Sequence, residues 1–154
     1  MYSQQEISKH KQAFWTAFGK YMLPILSAEE LPVAWVNYKT GVTGLSFKMD
    51  ADHKHVSISI VISSSDPLRQ QAFYNRLTQM KQMIEEVLGE KDWIWQPFNP
   101  DEYGNIVSTV SKQITGVSIH RQEDWPAMIS FLKPRIMALD VFWSVGKYGF
   151  EELL

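Results

Sequence analysis

The chain has no cysteine. Without thiolates it can form no disulfide framework, no Cys-ligated zinc site, no iron–sulfur cluster and no thiol nucleophile. It has no apolar run approaching about 18 residues, so nothing in it is expected to span a membrane. A strong charge of either sign is missing too: the formal net charge is −2. That speaks against a generally basic nucleic-acid binder and leaves room only for a local basic patch. The N-terminal stretch carries Glu6 and no apolar leader pattern, so no signal segment is expected and the setting reads as cytoplasmic. Gly41-Val42-Thr43-Gly44 lacks the following Lys-Ser/Thr of a phosphate loop. Repeats, low-complexity tracts and linkers are absent. No cofactor is expected.

What is present is apolar periodicity. The 154 residues suit one domain, 1–154. A chain of this length buries roughly 68–70% of its unfolded surface and needs no metal or disulfide to be stable. Leu45, Phe47 and Met49 alternate with Ser46, Lys48 and Asp50, and Val56, Ile58, Ile60 and Ile62 alternate with Ser57 and Ser59. A period of two puts each apolar set on one face of a strand, and the residues between them suit a hairpin turn. The opposite face is mostly polar, so one side of this sheet is expected to face water. Asp66-Pro67 then reads as an N-cap and first helical residue. Leu68 to Leu88 recurs at helical spacing, and Gly89 is the expected stop.

Upstream, Ser3-Gln4-Gln5-Glu6 reads as a capping box for a helix running to about Met22. Val33 to Tyr38 is rich in β-formers and reads as a buried strand. Downstream, Trp93 to Gln96 is a short strand and Pro97 to Asn105 a loop. Ile106 to Ile114 is a further strand, with Val117–Ile119 as an extension past a bulge at Gly116. Lys112 shares a face there with Val110 and Ile114, an imperfection in the pattern. The last helix opens near Asp124-Trp125-Pro126. Trp125, Ile129, Leu132, Ile136, Leu139 and Trp143 form one face, which Met128, Phe131 and Phe142 widen. So broad a face suggests cover on two sides, by the sheet and by either the first helix or a second subunit. Pro134 is expected to kink this helix.

The expected order is α-β-β-β-α-β-β-α. The expected fold class is α+β, a mainly antiparallel sheet of about five strands with helices packed on one side.

Distinctive strings run through the chain: Phe14-Trp15, Tyr21-Met22, Trp35 to Gly41, Met49 to Asp52, Glu123 to Ala127, Lys133-Pro134-Arg135 and Phe142-Trp143-Ser144. In these the chain resembles a bacterial family of domains of unknown function, found alone or appended to restriction-type nuclease domains. The resemblance implies a prokaryotic intracellular protein and a role near DNA processing or defence. It supplies no established reaction and no catalytic residue.

Four sets of residues could carry chemistry. Restriction-endonuclease-like sites need Pro-Asp followed by Asp/Glu-x-Lys, two carboxylates for Mg²⁺ and a lysine to activate water. The nearest string is Pro100-Asp101 with Lys112, and Val110 stands where the second acid belongs. Asp50, Asp52, His53 and His55 crowd one hairpin turn. Such residues can ligate a divalent metal, but a tight exposed turn also simply solvates them. His10 reads as a packing histidine. His120 precedes a helix start, with no partnered serine. Tyr38, Lys39, Lys48, Lys133 and Arg135 could contact phosphates or a partner surface, though scattered lysines more often only solubilise.

The reading is therefore a non-catalytic interaction domain that pairs with itself, as a homodimer through the last helix, or with another protein. It would work beside DNA processing or defence, with nucleic-acid contact open and no membrane association. The alternative is a degenerate metal-dependent nuclease of the restriction type.

Overall fold

The computed structural model describes residues 1–154. The first helix, α1 (Gln4–Met22), starts at the expected capping box. The Glu6 amide donates to Ser3 Oγ at 3.1 Å and the Ser3 amide to Glu6 Oε1 at 3.2 Å. Strands β1 (Leu45–Ala51) and β2 (His55–Ile62) form the expected antiparallel hairpin, with Phe47 opposite Ile60 and Met49 opposite Ile58. Asp66 caps α2 (Pro67–Gln79), its carboxylate accepting from the Leu68 amide at 3.0 Å.

After α2 the single long helix expected to Leu88 is in fact two. Met80 leaves helical geometry (φ −95, ψ 7), and α3 (Lys81–Leu88) restarts beyond it. Leu77, Met80 and Ile84 keep helical spacing across the break, so the apolar pattern does not mark it. Gly89 ends α3 in the left-handed region, at φ 68, as a C-terminal glycine allows.

Strand β3 (Ile94–Pro100) runs through the stretch read as a loop. It is an edge strand, in sheet order β1-β2-β4-β3. Pro97 and Pro100 are tolerated at an edge, where a missing N–H breaks no ladder bond. A register shift between Gln96 and Asn99 accommodates Phe98, whose φ is +50.

Strand β4 (Ile106–Thr115) lies between β2 and β3. The chain turns away at Gly116 (φ +78), so Val117–Ile119 is not a strand extension; Val117 and Ile119 are buried plugs. Helix α4 (Trp125–Glu151) follows a short 3-10 turn at Gln122–Asp124 and continues through Pro134 without a break.

The sheet thus has four antiparallel strands, not five, because Val33–Tyr38 forms no strand. Its apolar side chains are used singly. Trp35 is buried and its indole N–H donates to the Ile25 carbonyl at 2.9 Å, pinning the loop to the residues just after α1. Local β-propensity gives way to these tertiary anchors.

Helices α2 and α4 cover one face of the sheet. Val56, Ile58, Ile60 and Ile62 of β2 are all buried there, among 27 residues in one hydrophobic cluster. The uncovered face carries cross-strand rows such as Lys48–Ser59–Ser111 and Asp50–Ser57–Gln113. No helix is long and apolar enough to cross a membrane.

Candidate functional site

Helix α4 carries Lys133 and Arg135 and binds Tyr38 through Asp140. Its Arg135 and the β4 residue Lys112 meet over Glu90, which follows α3. Lys112 Nζ is paired with Glu90, and with Asp92 at 3.1 Å. Arg135 Nη2 donates to Glu90 Oε2 at 3.1 Å. Arg135 Nε lies 3.0 Å from Glu90 Oε1 but off its N–H axis, so that contact is an ion pair without a hydrogen bond.

Lys112 is therefore neither a surface nor an edge-strand lysine. It stands opposite Ile58 on the helix-covered face of an interior strand, and its ammonium is tolerated because Glu90 neutralises it. Burial pushes the Glu90 carboxyl up, but hydrogen bonds from Lys112 and Arg135 outweigh burial and hold it below the usual carboxylate range. Two acids and two bases already balance in this cluster.

Asp101 is elsewhere. It follows Pro100, which pairs with Ile106, and Lys112 lies six residues further along β4. At about 3.3 Å per residue that is roughly 20 Å. Asp101 closes the β3–β4 turn, its carboxylate accepting from the amides of Tyr103 and Asn105, both at 2.9 Å. The structure does not bring Asp101 and Lys112 together.

Of the hairpin acids and histidines, Asp52 and His55 are in structural use. Asp52 Oδ1 accepts from the amides of Lys54 (2.8 Å) and His55 (2.9 Å) and lies 2.8 Å from His55 Nδ1. Asp50 sits on the uncovered sheet face, opposite Ser57.

The five predicted binding residues do not form one patch. Tyr38 is half-buried and its hydroxyl donates to Asp140 Oδ1 at 2.5 Å. Burial, then the Asp140 hydrogen bond and charge, push its phenol above the ordinary value. Lys39 is exposed beside it. Lys48 projects from the uncovered sheet face, opposite Ser59. Lys133 lies over the Tyr21 ring, 4.9 Å from its centroid. Arg135 is committed to Glu90.

The face of α4 that sequence reasoning offered to a partner is mostly consumed within the chain. Met128, Phe131, Leu132, Ile136, Leu139, Phe142 and Trp143 are all buried, while Trp125 and Ile129 are half-buried. What the sequence did not single out is the opposite side of the helix. There Val141, Val145 and Tyr148 are 46%, 60% and 62% exposed, one turn apart, and Met137 and Pro134 continue the line.

A further grouping had no sequence signal, because its members are 110 residues apart. His10 of α1 and His120 of the loop before α4 face each other, with Nδ1 atoms 2.6 Å apart.

A family described as Domain of unknown function (DUF4268) matches residues 10–146. The chain belongs to that family. No curated protein and no solved structure matches the chain. The DUF4268 span opens at His10 inside α1 and closes at Gly146 inside α4. It takes in the whole sheet, the Glu90–Lys112–Arg135 cluster, the Tyr38–Asp140 contact and the His10–His120 pair.

Proposed function

We propose that this DUF4268 chain is a non-catalytic interaction domain that pairs with a second copy through the outer side of α4. Its setting would be DNA processing or defence in a prokaryotic cell. The carrying observation is that α4 is apolar nearly all round. Between Ile136 and Gly146 its one charged residue is Asp140, which is buried and bonded to Tyr38 and Ala28. A helix of that kind wants cover on every side, and along its outer side Val141, Val145 and Tyr148 stay exposed, with Met137 half-buried at the end of the row.

Charge placement supports an antiparallel pairing of two copies. Lys133 lies toward one end of the stripe and Glu151 beyond the other. Pairing about a two-fold axis near Val141 brings the Lys133 end of one helix to the Glu151 end of its mate. Sedimentation over a concentration series tests this: a reversible shift from the 17.9 kDa species to twice that mass is expected. A single 17.9 kDa species at high concentration would rule it out.

The alternative, a degenerate metal-dependent nuclease, has one observation in its favour: two carboxylates, Glu90 and Asp92, converge on Lys112. Against it, Arg135 also occupies Glu90, so a divalent ion would have to displace a paired cation. DNA cleavage in Mg²⁺ or Mn²⁺ that is lost in Glu90→Gln would favour this alternative over the binding module.

A further inference from the structure

All four histidines of the chain lie at one corner of the fold, where α1, the β1–β2 turn and the loop before α4 meet. Of these, His10 and His120 touch. Their Nδ1 atoms are 2.6 Å apart and their rings cross at 62°, with centroids at 4.8 Å. Tyr2 stacks on the His120 ring at 3.9 Å. A hollow of about 680 Å³ opens beside His120, which lines it with His53, Tyr2, Ile7 and Lys11.

We propose that His10 and His120 bind a divalent transition-metal ion of the zinc, nickel or copper kind through their facing Nδ1 atoms. At this separation one ring nitrogen donates its N–H and the other accepts it, so both point at one spot between them. Imidazole is the ligand these metals favour, and carboxylate-seeking Mg²⁺ and Ca²⁺ are not expected.

A tetrahedral ion with Zn–N bonds of about 2.0–2.1 Å sets its ligand atoms about 3.3 Å apart. From the observed 2.6 Å the two nitrogens need to separate by about 0.7 Å, which small side-chain rotations supply. Both backbones are already held. His10 lies inside a capped helix. His120 sits in a loop tied by its own amide to Ser118 Oγ (3.1 Å) and by the Ser118 amide to Asp124 Oδ2 (3.0 Å). A site on rigid elements spends little binding free energy on ordering.

No group of three or more His, Asp or Glu side chains converges in the molecule. The ion therefore rests on two protein ligands and completes its shell with water from the hollow. It joins α1 to the loop before α4, segments 110 residues apart.

The test uses the full chain stripped of metal by a chelator and dialysed. Zn²⁺ is titrated by calorimetry, and Co²⁺ by its visible absorption. One equivalent is expected to bind, with imidazole-type Co²⁺ bands and a raised melting temperature. His10→Gln and His120→Gln keep a hydrogen-bonding side chain but lose the ligand. Each should weaken binding about tenfold or more, since even the outer partners of metal ligands are worth about 10–100-fold. His55→Gln, in the Asp52 turn, is the control and should bind as wild type. Absence of binding at millimolar Zn²⁺ and Co²⁺ overturns the proposal, as does binding that survives both substitutions in folded protein. Neither result bears on the α4 pairing, which sedimentation reads at another face.

Discussion

The Tyr38 hydroxyl donates to Asp140 Oδ1 across 2.5 Å, and the Ala28 amide donates to Asp140 Oδ2 at 2.7 Å. One carboxylate, 5% exposed in the middle of α4, thus holds two points of the loop that follows α1. Asp140→Ala leaves both donors without their acceptor. Hydrogen bonds to charged groups are worth about 1.5–3 kcal/mol each, so a loss of about 3–6 kcal/mol in urea unfolding is expected. Tyr38→Phe removes one of the two and should cost about half as much.

The same contact predicts an alkaline limit. The folded phenol ionises above its ordinary value because burial and Asp140 both oppose its charge. Its contribution is complete below about pH 10, where the unfolded tyrosine starts to ionise, and is lost as pH rises beyond that. Melting temperatures measured from pH 8 to 11 should fall more steeply for wild type than for Tyr38→Phe.

Glu90 predicts the opposite limb. Its folded carboxyl is held below the usual range by Lys112 and Arg135 despite burial. The stability it contributes is present above the unfolded carboxyl value, about 4.3, and drains away as pH falls through the folded one. Glu90→Gln should flatten the acid limb of the stability profile and lower neutral-pH stability by about 1–3 kcal/mol. An unchanged acid limb would show that the cluster is not coupled to folding.

Two glycines of α4 should respond in opposite directions. A Cβ at Gly146 would stand 2.7 Å from the ring of Phe142, which is buried and rigid. Overpacking there should cost about 1–3 kcal/mol, more than the roughly 1 kcal/mol that alanine gains in a helix. At Gly149 the nearest atom is the terminal methyl of Met80, at 2.6 Å, and a flexible thioether can rotate away. Gly146→Ala should lower the unfolding midpoint, whereas Gly149→Ala should hold it or raise it by up to about 1 kcal/mol.

Val145 tests the pairing face. It is 60% exposed, so Val145→Glu should alter stability by less than about 0.5 kcal/mol. In a dimer built on this stripe the glutamate would be buried against its own symmetry mate, and association should fall at least tenfold by sedimentation. Lys48→Glu, on the uncovered sheet face, should leave association unchanged.

Local chemistry was readable wherever a residue acts on its own neighbours. The Ser3–Glu6 box, the Asp66-Pro67 start, the β1–β2 alternation, the Gly89 stop and the core stripe of α4 all follow from side chains within a few positions of each other. Such signals depend on fixed periods of 3.6 and 2 and on cap geometry, which the chain carries in any context.

The misreadings share one cause. Val33–Tyr38 has strand composition, yet Trp35 and Tyr38 serve as separate anchors to Ile25 and Asp140. Pro97 and Pro100 look like loop residues until β3 is known to be an edge. Lys112 reads as a flaw in β4 until Glu90 and Arg135 arrive to neutralise it.

By itself the sequence determined which segments bury one face, where most of them begin and end, and that no thiol chemistry is available. Only the tertiary structure decided which side of α4 stays uncovered, which acids meet which bases, and that His10 faces His120. Those outcomes depend on contacts between residues far apart along the chain, and no local period or cap records a partner a hundred positions away.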